Sequence, residues 1–155
     1  MIPQLAEELK EHPYFKMNLP KTTGREMFGE HYTQELLKKY HSYDANDIIH
    51  TLTWFTAYSI AYHYKKHLID PYNLKKCIVG GGGAYNSYLL ELIQKEMTEV
   101  QVLTQEEQGF SSEAKEALAF VILGNQTYHR RPSNVPSATG AKKSVILGQI
   151  TYPTL

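Results

Sequence analysis

The first seventy residues carry apolar side chains at helical spacing. The segment "PQLAEELKEH" predicts a short amphipathic helix that ends before Pro13. After a loop that contains Pro20 and Gly24, the segment "REMFGEHYTQELLKKYHS" predicts a second helix. The apolar contacts expected on this second helix are Met27, Phe28, Leu36 and Leu37. The chain is therefore predicted to open with a helical part.

A longer helix is predicted from Ala45 to about Leu68. Contact positions recur there at spacings of three and four, which is typical of a helix with one buried face. Asp44 or Asn46 is expected to cap its N-terminus, and Pro71 is expected to close the segment. The predicted buried face consists of Ile48, Ile49, Leu52, Phe55, Thr56, Ser59, Ile60 and His63.

After residue 71 the pattern becomes strand, helix, strand, helix. The strands are predicted in "KKCIVG" and "EVQVLTQ", the helices in "NSYLLELIQKEM" and "SSEAKEALAFVILGNQTY", and a last strand or edge extension in "SVILGQI". Ser111 or Ser112 is the expected cap of the second of these helices. The inward positions are predicted to be Leu89, Leu90, Leu92, Ile93, Val100, Val102 and Leu103. This order predicts an open α/β sheet flanked by helices.

Composition narrows the class of protein. Sixteen Lys and Arg residues balance sixteen Asp and Glu residues among 155 residues, so net charge does not favour nucleic acid or an anionic membrane as partner. No run of about 18 apolar residues is present, as a membrane span would require. The single cysteine, Cys77, excludes an internal disulfide framework and is typical of a reducing compartment. We therefore expect one soluble, cytoplasmic domain.

Four consecutive glycines, Gly80 to Gly83, stand where the first predicted strand ends. The run does not fit the Walker A pattern, because no glycine is followed after four residues by Gly-Lys-Ser/Thr. It does not fit G-x-G-x-x-G either, because Tyr85 or Asn86 stands where the last glycine or alanine is needed. Exposed backbone amides before a helix still suit a phosphate or a flat nucleoside. The alternative is a plain strand-to-helix turn that needs positive φ.

Six strings, in this order, resemble the C-terminal part of the anhydro-N-acetylmuramic acid kinase family. Each string is weak alone, but their common order is specific, and the resemblance extends from about Leu19 to the end of the chain. The strings are "PKTTGREMF" (20–28), "DIIHTLTWFTAYSIA" (47–61), "CIVGGGGAYNSYLLELI" (77–93), "EALAFVIL" (116–123), "NVPSATGA" (134–141) and "VILGQI" (145–150).

The resemblance implies a fold, a reaction and a missing half. The family belongs to the superfamily of sugar kinases, actin and heat-shock chaperone ATPases, so residues 1–155 are expected to form one ribonuclease H-like lobe. The implied reaction uses ATP and Mg²⁺ to open the 1,6-anhydro bridge of anhydro-N-acetylmuramic acid and to phosphorylate O6, in peptidoglycan recycling. The N-terminal half, with the phosphate hairpin, the catalytic aspartate and most of the magnesium site, is expected to lie outside this chain. Alone, the chain is expected to be inactive.

The glycine-rich turn is the first nucleotide site that the resemblance implies. In this superfamily such a turn packs on the adenosine, which points to Gly81, Gly82 and Gly83, with Ala84 and Asn86 at the start of the next helix. The alternative for Asn86 is that it only caps that helix.

Two further segments receive roles from the resemblance. Glu116 matches a family position near the sugar and its attacking water, where a carboxylate can orient hydroxyls or assist proton transfer; the alternative is a solvated helix carboxylate. Thr139 and Gly140 form a turn that could close over the nucleotide, or a loop that only leads back to the sheet.

Lys21, Thr23 and Arg25 lie together in "PKTTGRE" and supply cationic and hydroxyl donors, as an anion site needs. They are assigned to the substrate or to a domain-facing surface, and the alternative is the exposed start of a helix. His63 and His67 are four apart on the long helix, but no His-Glu-x-x-His string accompanies them, so no metal site is predicted. The expected partners are ATP or ADP, an amino sugar, the N-terminal lobe and a second copy in a homodimer.

Overall fold

The computed structural model describes residues 1–153, and these form two units that meet in the sequence between Leu103 and Thr104. The fold is mixed α/β, mostly helical, with one two-stranded parallel sheet among the described residues. The predicted order of strand, helix, strand and helix is confirmed. The finer assignment, a ribonuclease H-like lobe whose sheet is flanked by helices, stays a prediction.

The helices and strands have the following bounds. Up to the second strand they are α1 (Pro3–Lys10), α2 (Arg25–Phe28), α3 (Glu30–Lys39), α4 (Ala45–Tyr64), α5 (Asp70–Tyr72), β1 (Lys76–Val79), α6 (Ser87–Glu96) and β2 (Gln101–Thr104). After it come α7 (Lys115–Tyr128) and α8 (Pro136–Thr139). Short 3₁₀ turns cover Pro13–Lys16, Gly82–Tyr85 and Glu106–Gln108, and a π-helical turn covers Lys65–Ile69.

A first apolar cluster holds α1 and α3 against the start of α4. Its buried members are Ile2, Leu5, Leu9, Leu36, Tyr40 and Ile48. The expected inward positions Leu37 and Ile49 are wrong, because their side chains are 46% and 62% exposed. Each follows directly after a buried residue, and a step of about 100° along a helix turns the neighbouring side chain away from the core.

A hydrogen-bonded group ties α1 to α3 at the edge of this cluster. The Glu8 carboxylate accepts from Lys39 Nζ at 2.7 Å and from the Tyr40 hydroxyl at 2.5 Å. These hydrogen bonds, that of Lys39 first, lower the pKa of Glu8 below its ordinary value of 4.5. Burial, together with the bond to Glu8, raises the pKa of Tyr40 to about 12.

Helix α4 begins as the sequence predicts. Asp44 is its N-cap, since its Oδ1 accepts the Asn46 N–H at 2.9 Å. The expected stop at Pro71 is wrong, because the helical chain continues through the π-helical turn and α5 to Tyr72. Pro71 lies in the first turn of α5, where a missing N–H costs little. Asn73, with φ of +47°, ends the segment.

A second cluster packs α4 against α6 and the sheet. Its fully or nearly buried members include Ala57, Ala61, Cys77, Leu92, Ile93, Met97 and Val100. This confirms the inward assignment of Leu92, Ile93 and Val100, and Leu89 and Val102 pack partly buried against them. The first unit thus has two apolar cores, one around the N-terminal part of α4 and one around its C-terminal part.

The Gln94 side chain fixes the connection from α6 to β2. Its Nε2 donates to the carbonyls of Met97 at 3.1 Å and Val100 at 3.0 Å, and its Oε1 accepts the Val102 N–H at 2.9 Å. On the other side of β2, the Gln101 N–H donates to the Lys75 carbonyl at 2.9 Å. One side chain therefore supplies three hydrogen bonds to a chain segment that leaves a helix and enters a strand.

The second unit departs from the sequence predictions at both ends. The N-cap of α7 is Ala114 rather than Ser111 or Ser112, although the Ser111 Oγ accepts the Ala114 N–H at 3.2 Å. The expected strand in "SVILGQI" is wrong, because residues 144–150 have no strand structure. Their backbone is held by side chains instead: Val145 N–H donates to Asn134 Oδ1 at 2.7 Å, and the Thr127 hydroxyl donates to the Leu147 carbonyl.

Helix α7 carries apolar side chains with high exposure. Its 14 residues include no buried side chain. Its large exposed apolar residues are Leu118, Phe120, Val121, Ile122 and Tyr128. Among residues 1–153, no helix combines the length and the apolar character that a membrane crossing needs.

Candidate functional site

The glycine run forms a tight turn between β1 and α6. Gly81 has φ of +87° and ψ of −174°, and residues 82–85 then make a 3₁₀ turn. Within this turn the Ala84 N–H donates to the Gly81 carbonyl at 2.9 Å, and the Asn86 N–H donates to the Gly83 carbonyl at 3.2 Å. The Ala84 side chain is buried, whereas Gly82 and Gly83 are exposed. The turn is thus anchored at Ala84 and open at its glycines.

The space around these glycines separates turn requirements from ligand requirements. A Cβ added at Gly81 or Gly82 would meet no atom within 4 Å, and one added at Gly83 would only meet Leu89 Cδ2 at 3.9 Å. Backbone conformation demands glycine at position 81 alone, since φ is positive there. The fold itself therefore does not require glycine at positions 82 and 83.

Asn86 joins the turn to the helix that follows. Its Oδ1 accepts the Leu89 N–H at 3.0 Å, which makes it the N-cap of α6. The interpretation of Asn86 as a cap is confirmed, and contact with a nucleotide stays a prediction. Nearby, the Tyr88 hydroxyl and His50 Nε2 are hydrogen-bonded at 2.8 Å and link α6 to α4. The N-terminus of α6, with its amides directed out of the helix, adjoins the open glycines.

The segment before α2 directs its three candidate residues to different surroundings. Lys21 Nζ donates to the Tyr14 carbonyl at 2.8 Å and lies 4.4 Å from the centre of the Tyr14 ring. The Thr23 hydroxyl is buried, whereas Arg25 is exposed as the first residue of α2. The ammonium group of Lys21 is thereby engaged within the protein, and a shared anion site of all three residues stays a prediction.

Glu116, Thr139 and Gly140 all belong to the second unit. Glu116 is exposed in the first turn of α7. The Thr139 hydroxyl donates to the Val135 carbonyl at 3.1 Å, and Gly140 has φ of +72° with its N–H donating to the Pro136 carbonyl at 2.9 Å. The predicted turn at Thr139 and Gly140 is confirmed as the end of α8. Contact of any of the three with a nucleotide or a sugar stays a prediction.

The first unit also contains a cavity that the sequence analysis missed. Its volume is about 560 Å³, and its walls come from α1, α3, α4 and the segments between α1 and α3. The lining residues are Leu9, Tyr14, Phe15, Thr23, Phe28, Tyr32, Thr33, Leu36, Leu52, Phe55, Thr56, Ser59, Ile60, His63 and Tyr64. Next to it, burial lowers the pKa of His12, whose ring centre is 4.5 Å from that of Phe28. The aromatic residues of "HPYF" and of α4 were the only sequence signal.

No metal centre is formed by the part of the chain that the structure describes. Residues 1–153 contain no group of three or more His, Cys, Asp and Glu side chains arranged to hold an ion. The rings of His63 and His67 are stacked, with their centres 6.2 Å apart. His63 Nδ1 is 2.7 Å from the Ser59 carbonyl, so this nitrogen donates a hydrogen bond within the helix.

A strand, a glycine-rich turn and a helix N-terminus are arranged here as in α/β proteins that bind anionic ligands beyond the strand ends. The sequence model of one protein family, described as anhydro-N-acetylmuramic acid kinase, matches residues 1–153. The chain belongs to this family, and the resemblance seen in the sequence is thereby confirmed.

Individual relatives agree with this assignment. The chain is 51% and 50% identical, over 157 aligned positions, to the anhydro-N-acetylmuramic acid kinases of Bacillus cereus strains AH187 and Q1. It is 49% identical to the protein of the same name from Bacillus thuringiensis subsp. konkukian strain 97-27. Each alignment covers 100% of this chain but 41% of the relative. The chain therefore spans less than half the length of the curated relatives it matches.

Proposed function

We propose that this chain is the C-terminal, ATP-binding lobe of an anhydro-N-acetylmuramic acid kinase. In the whole enzyme, ATP would phosphorylate O6 of 1,6-anhydro-N-acetylmuramic acid while water opens the anhydro bridge, a step of peptidoglycan recycling in the cytoplasm. In that enzyme, the role of this chain is to bind the adenosine and part of the sugar. Family membership over residues 1–153 supports the reaction class.

The open glycine turn is the observation that supports nucleotide binding. Gly82 and Gly83 stand where the fold would accept a side chain, since their added Cβ atoms meet nothing closer than 3.9 Å. A flat base or ribose that lies against the backbone explains why side chains are excluded there. The N-terminal amides of α6 lie at the same turn and suit phosphate oxygens. Gly81, Gly82, Gly83, Ala84 and Asn86 therefore form the proposed adenosine contact.

The roles in the second unit follow the family pattern. Glu116, exposed at the start of α7, would orient the sugar hydroxyls as an auxiliary group, and Thr139 and Gly140 would close over the nucleotide. Mg²⁺ would arrive with ATP and be held mainly by the N-terminal half of the enzyme, as the family resemblance implies. Phosphoryl transfer depends on positioned groups from both lobes, so this chain alone should give essentially no turnover.

Exposed apolar residues support a partner surface in the same proposal. Leu118, Phe120, Val121 and Ile122 are each at least 50% exposed on α7, which is unusual for large apolar side chains on one helix. The N-terminal lobe of the kinase is the proposed partner of this surface, and a second copy in a homodimer is the alternative. The same exposure favours, as a second candidate function, a non-catalytic module that binds a nucleotide or a protein.

Calorimetric titration with magnesium-ADP tests the proposal. The chain should show saturable binding, either alone or after addition of the N-terminal portion of the Bacillus cereus relative in trans. Gly82→Val should lose this binding while it keeps its thermal midpoint, because the added side chain enters open space. Gly124→Val is the matched control for the titration of the chain alone: its Cβ also meets no atom within 4 Å, and it lies on α7, far along the chain from the turn.

The outcomes separate the interpretations. Loss of ADP binding in Gly82→Val alone supports the adenosine contact. Equal affinity of the parent chain and Gly82→Val would show that the glycines only form a turn. No binding in either setting, with and without the N-terminal portion, would overturn the proposed ATP-binding function.

A further inference from the structure

The sheet of the first unit is smaller than parallel sheets usually are. Parallel strands occur almost only in sheets that are covered on both faces, and a sheet has about five or six strands on average. Here β1 and β2 are the whole sheet among residues 1–153. Cys77, Val79 and Val102 place one face of this sheet on the second apolar cluster. The other face and the edge of β1 are the places where neighbours are missing.

The side chains of β1 show the uncovered face. Along a strand, side chains alternate between the two faces of the sheet. Cys77 is buried and Val79 packs partly buried against the core, whereas Ile78 between them is 52% exposed. Isoleucine is among the residue types that are most often fully buried. The middle of β1 therefore presents an apolar side chain to which no segment of residues 1–153 gives full cover.

The backbone of β1 has hydrogen-bonding groups with which no strand pairs. The Lys75 carbonyl accepts the Gln101 N–H at 2.9 Å, so the polar groups of residue 75 point toward β2. Because these groups point to alternate sides from one residue to the next, those of Cys77 also face β2, and those of Lys76 and Ile78 face away. The sheet has no third strand among residues 1–153. Lys76 and Ile78 thus each present an N–H and a C=O group at an open edge.

The relatives indicate where a pairing strand would come from. The three Bacillus relatives each align with this chain over 41% of their own length, so more than half of each relative lies outside the aligned region. A strand from that part would supply main-chain hydrogen bonds to the edge and a side chain beside Ile78. A second copy of this chain would have to compete with a strand of the same enzyme, whose effective concentration is in the millimolar range.

We propose that the open edge of β1 pairs with a strand from the remaining part of the kinase, through hydrogen bonds to the backbone of Lys76 and Ile78. This inference rests on the proposed function in one respect, that the chain is part of a longer kinase. It does not depend on nucleotide binding at the glycine turn. Because β1 ends at Val79, directly before the glycines, pairing on both of its sides would also hold that turn in place.

Hydrogen exchange measured by NMR on the 155-residue chain tests the open edge. The amides of Lys76 and Ile78 should exchange roughly tenfold or more faster than those of Cys77 and Val79, because only the latter face β2. Slow exchange of all four amides in the chain alone would overturn the proposal. If that slow exchange required a high protein concentration, the edge would be shown to pair with a second copy instead.

A chimera that joins the N-terminal portion of the Bacillus cereus AH187 relative to this chain tests the partner. In the chimera the alternation should disappear, and the amides of residues 76–79 should exchange at rates within about threefold of one another. Val102 is the control, because Gln94 Oε1 already accepts its N–H, so its rate relative to Cys77 should stay the same. Alternation that persists in the chimera would overturn the proposal.

A matched pair of variants removes the edge donor. Ile78→Pro lacks the N–H group, whereas Ile78→Ala shortens the side chain and keeps it. Proline is tolerated on an edge strand but removes a hydrogen bond from an interior strand. The urea midpoint of Ile78→Pro should therefore lie about 0.5 M or more below that of Ile78→Ala in the chimera, and within about 0.2 M of it in the chain alone. Equal midpoints in the chimera would contradict the pairing.

Two further results keep the test decisive. Should Ile78→Pro not fold, the exchange pattern of the parent chain and of the chimera still decides. Titration of the chimera with magnesium-ADP is a separate measurement: slow exchange at Lys76 and Ile78 without ADP binding would leave the strand pairing standing and overturn the nucleotide proposal. ADP binding with fast exchange at these two amides would do the reverse.

Discussion

Thr51 makes two hydrogen bonds that join the start of the chain to α4. Its side chain is fully buried, and its Oγ1 accepts the Ile2 N–H at 2.9 Å and donates to the Asp47 carbonyl at 2.7 Å. Ile2 is itself only 2% exposed, so water cannot replace the threonine as acceptor. Replacing Thr51 by Val keeps the side-chain volume and leaves the Ile2 N–H buried without a partner.

The size of the effect follows from this unpaired N–H group. An unsatisfied buried donor costs about 1–3 kcal/mol. The extra methyl group of valine gains up to about 0.8 kcal/mol through burial, so Thr51→Val should lower the free energy of unfolding by about 1–2 kcal/mol. With a urea dependence of about 2 kcal/mol per M, the unfolding midpoint should fall by about 0.5–1 M.

Urea unfolding followed by tryptophan fluorescence measures this change. Trp54 is the single tryptophan of the chain and lies on α4, and its Nε1 donates to Glu96 Oε1 at 3.0 Å. Thr53→Val is the matched control, because the Thr53 hydroxyl donates to the Ile49 carbonyl at 2.8 Å in the same manner and no second hydrogen bond is found for it within residues 1–153. Equal midpoints of the two variants would refute the reasoning, since they would show that the Ile2 bond contributes nothing.

Two further changes test local interactions. The pKa of Glu8 is lowered by its bonds to Lys39 and Tyr40, so its stabilising effect should be present above about pH 4.5 and be lost as pH falls through the lower pKa of the folded state. The urea midpoint of Glu8→Gln should therefore lie below that of the parent at pH 7, and this difference should shrink in acid. Asn86→Ala should lower the free energy of unfolding by about 0.5–2 kcal/mol, whereas Asn86→Asp should retain the cap.

Each of these changes has its own check. Glu7→Gln removes an exposed surface pair with Lys10, and it should leave the urea midpoint at pH 7 nearly unchanged. A Glu8→Gln difference that stays constant from pH 7 down to strong acid would contradict the role of Glu8. For Asn86, equal losses in the Ala and Asp variants would contradict capping. Asn86→Asp that remains stable but binds magnesium-ADP more weakly would support a nucleotide contact as well.

The helices and strands that sequence patterns predicted well carry strong local signals. The proline boundary after α1, the Asp44 cap of α4 and the β-branched run of β1 each act within a few residues. The segment "SVILGQI" has the same apolar run but no neighbouring strand among the described residues, and an apolar run alone does not make a ladder. Strand formation depends on a partner, which local sequence does not reveal.

In the candidate sites, too, features set by local sequence could be predicted, and features that depend on tertiary contacts could not. The position of the glycine turn between strand and helix followed from the order of patterns, and the positive φ of Gly81 agrees with the turn interpretation. The aromatic cavity could not be predicted, because Phe15, Phe28 and Phe55 come from three separate segments that only the tertiary fold brings together.

The Gln94 side chain has a consequence for association between chains. Successive N–H groups of a strand point to opposite sides, so the Gln101 N–H faces β1 and the Val102 N–H faces the free edge of β2. The exposed edge of a sheet is a template on which another chain can add a strand. Because the amide oxygen of Gln94 already accepts the Val102 N–H, this edge offers one donor fewer to an incoming strand. A glutamine on a helix thus takes up, within one chain, a backbone donor that a neighbouring strand would otherwise use.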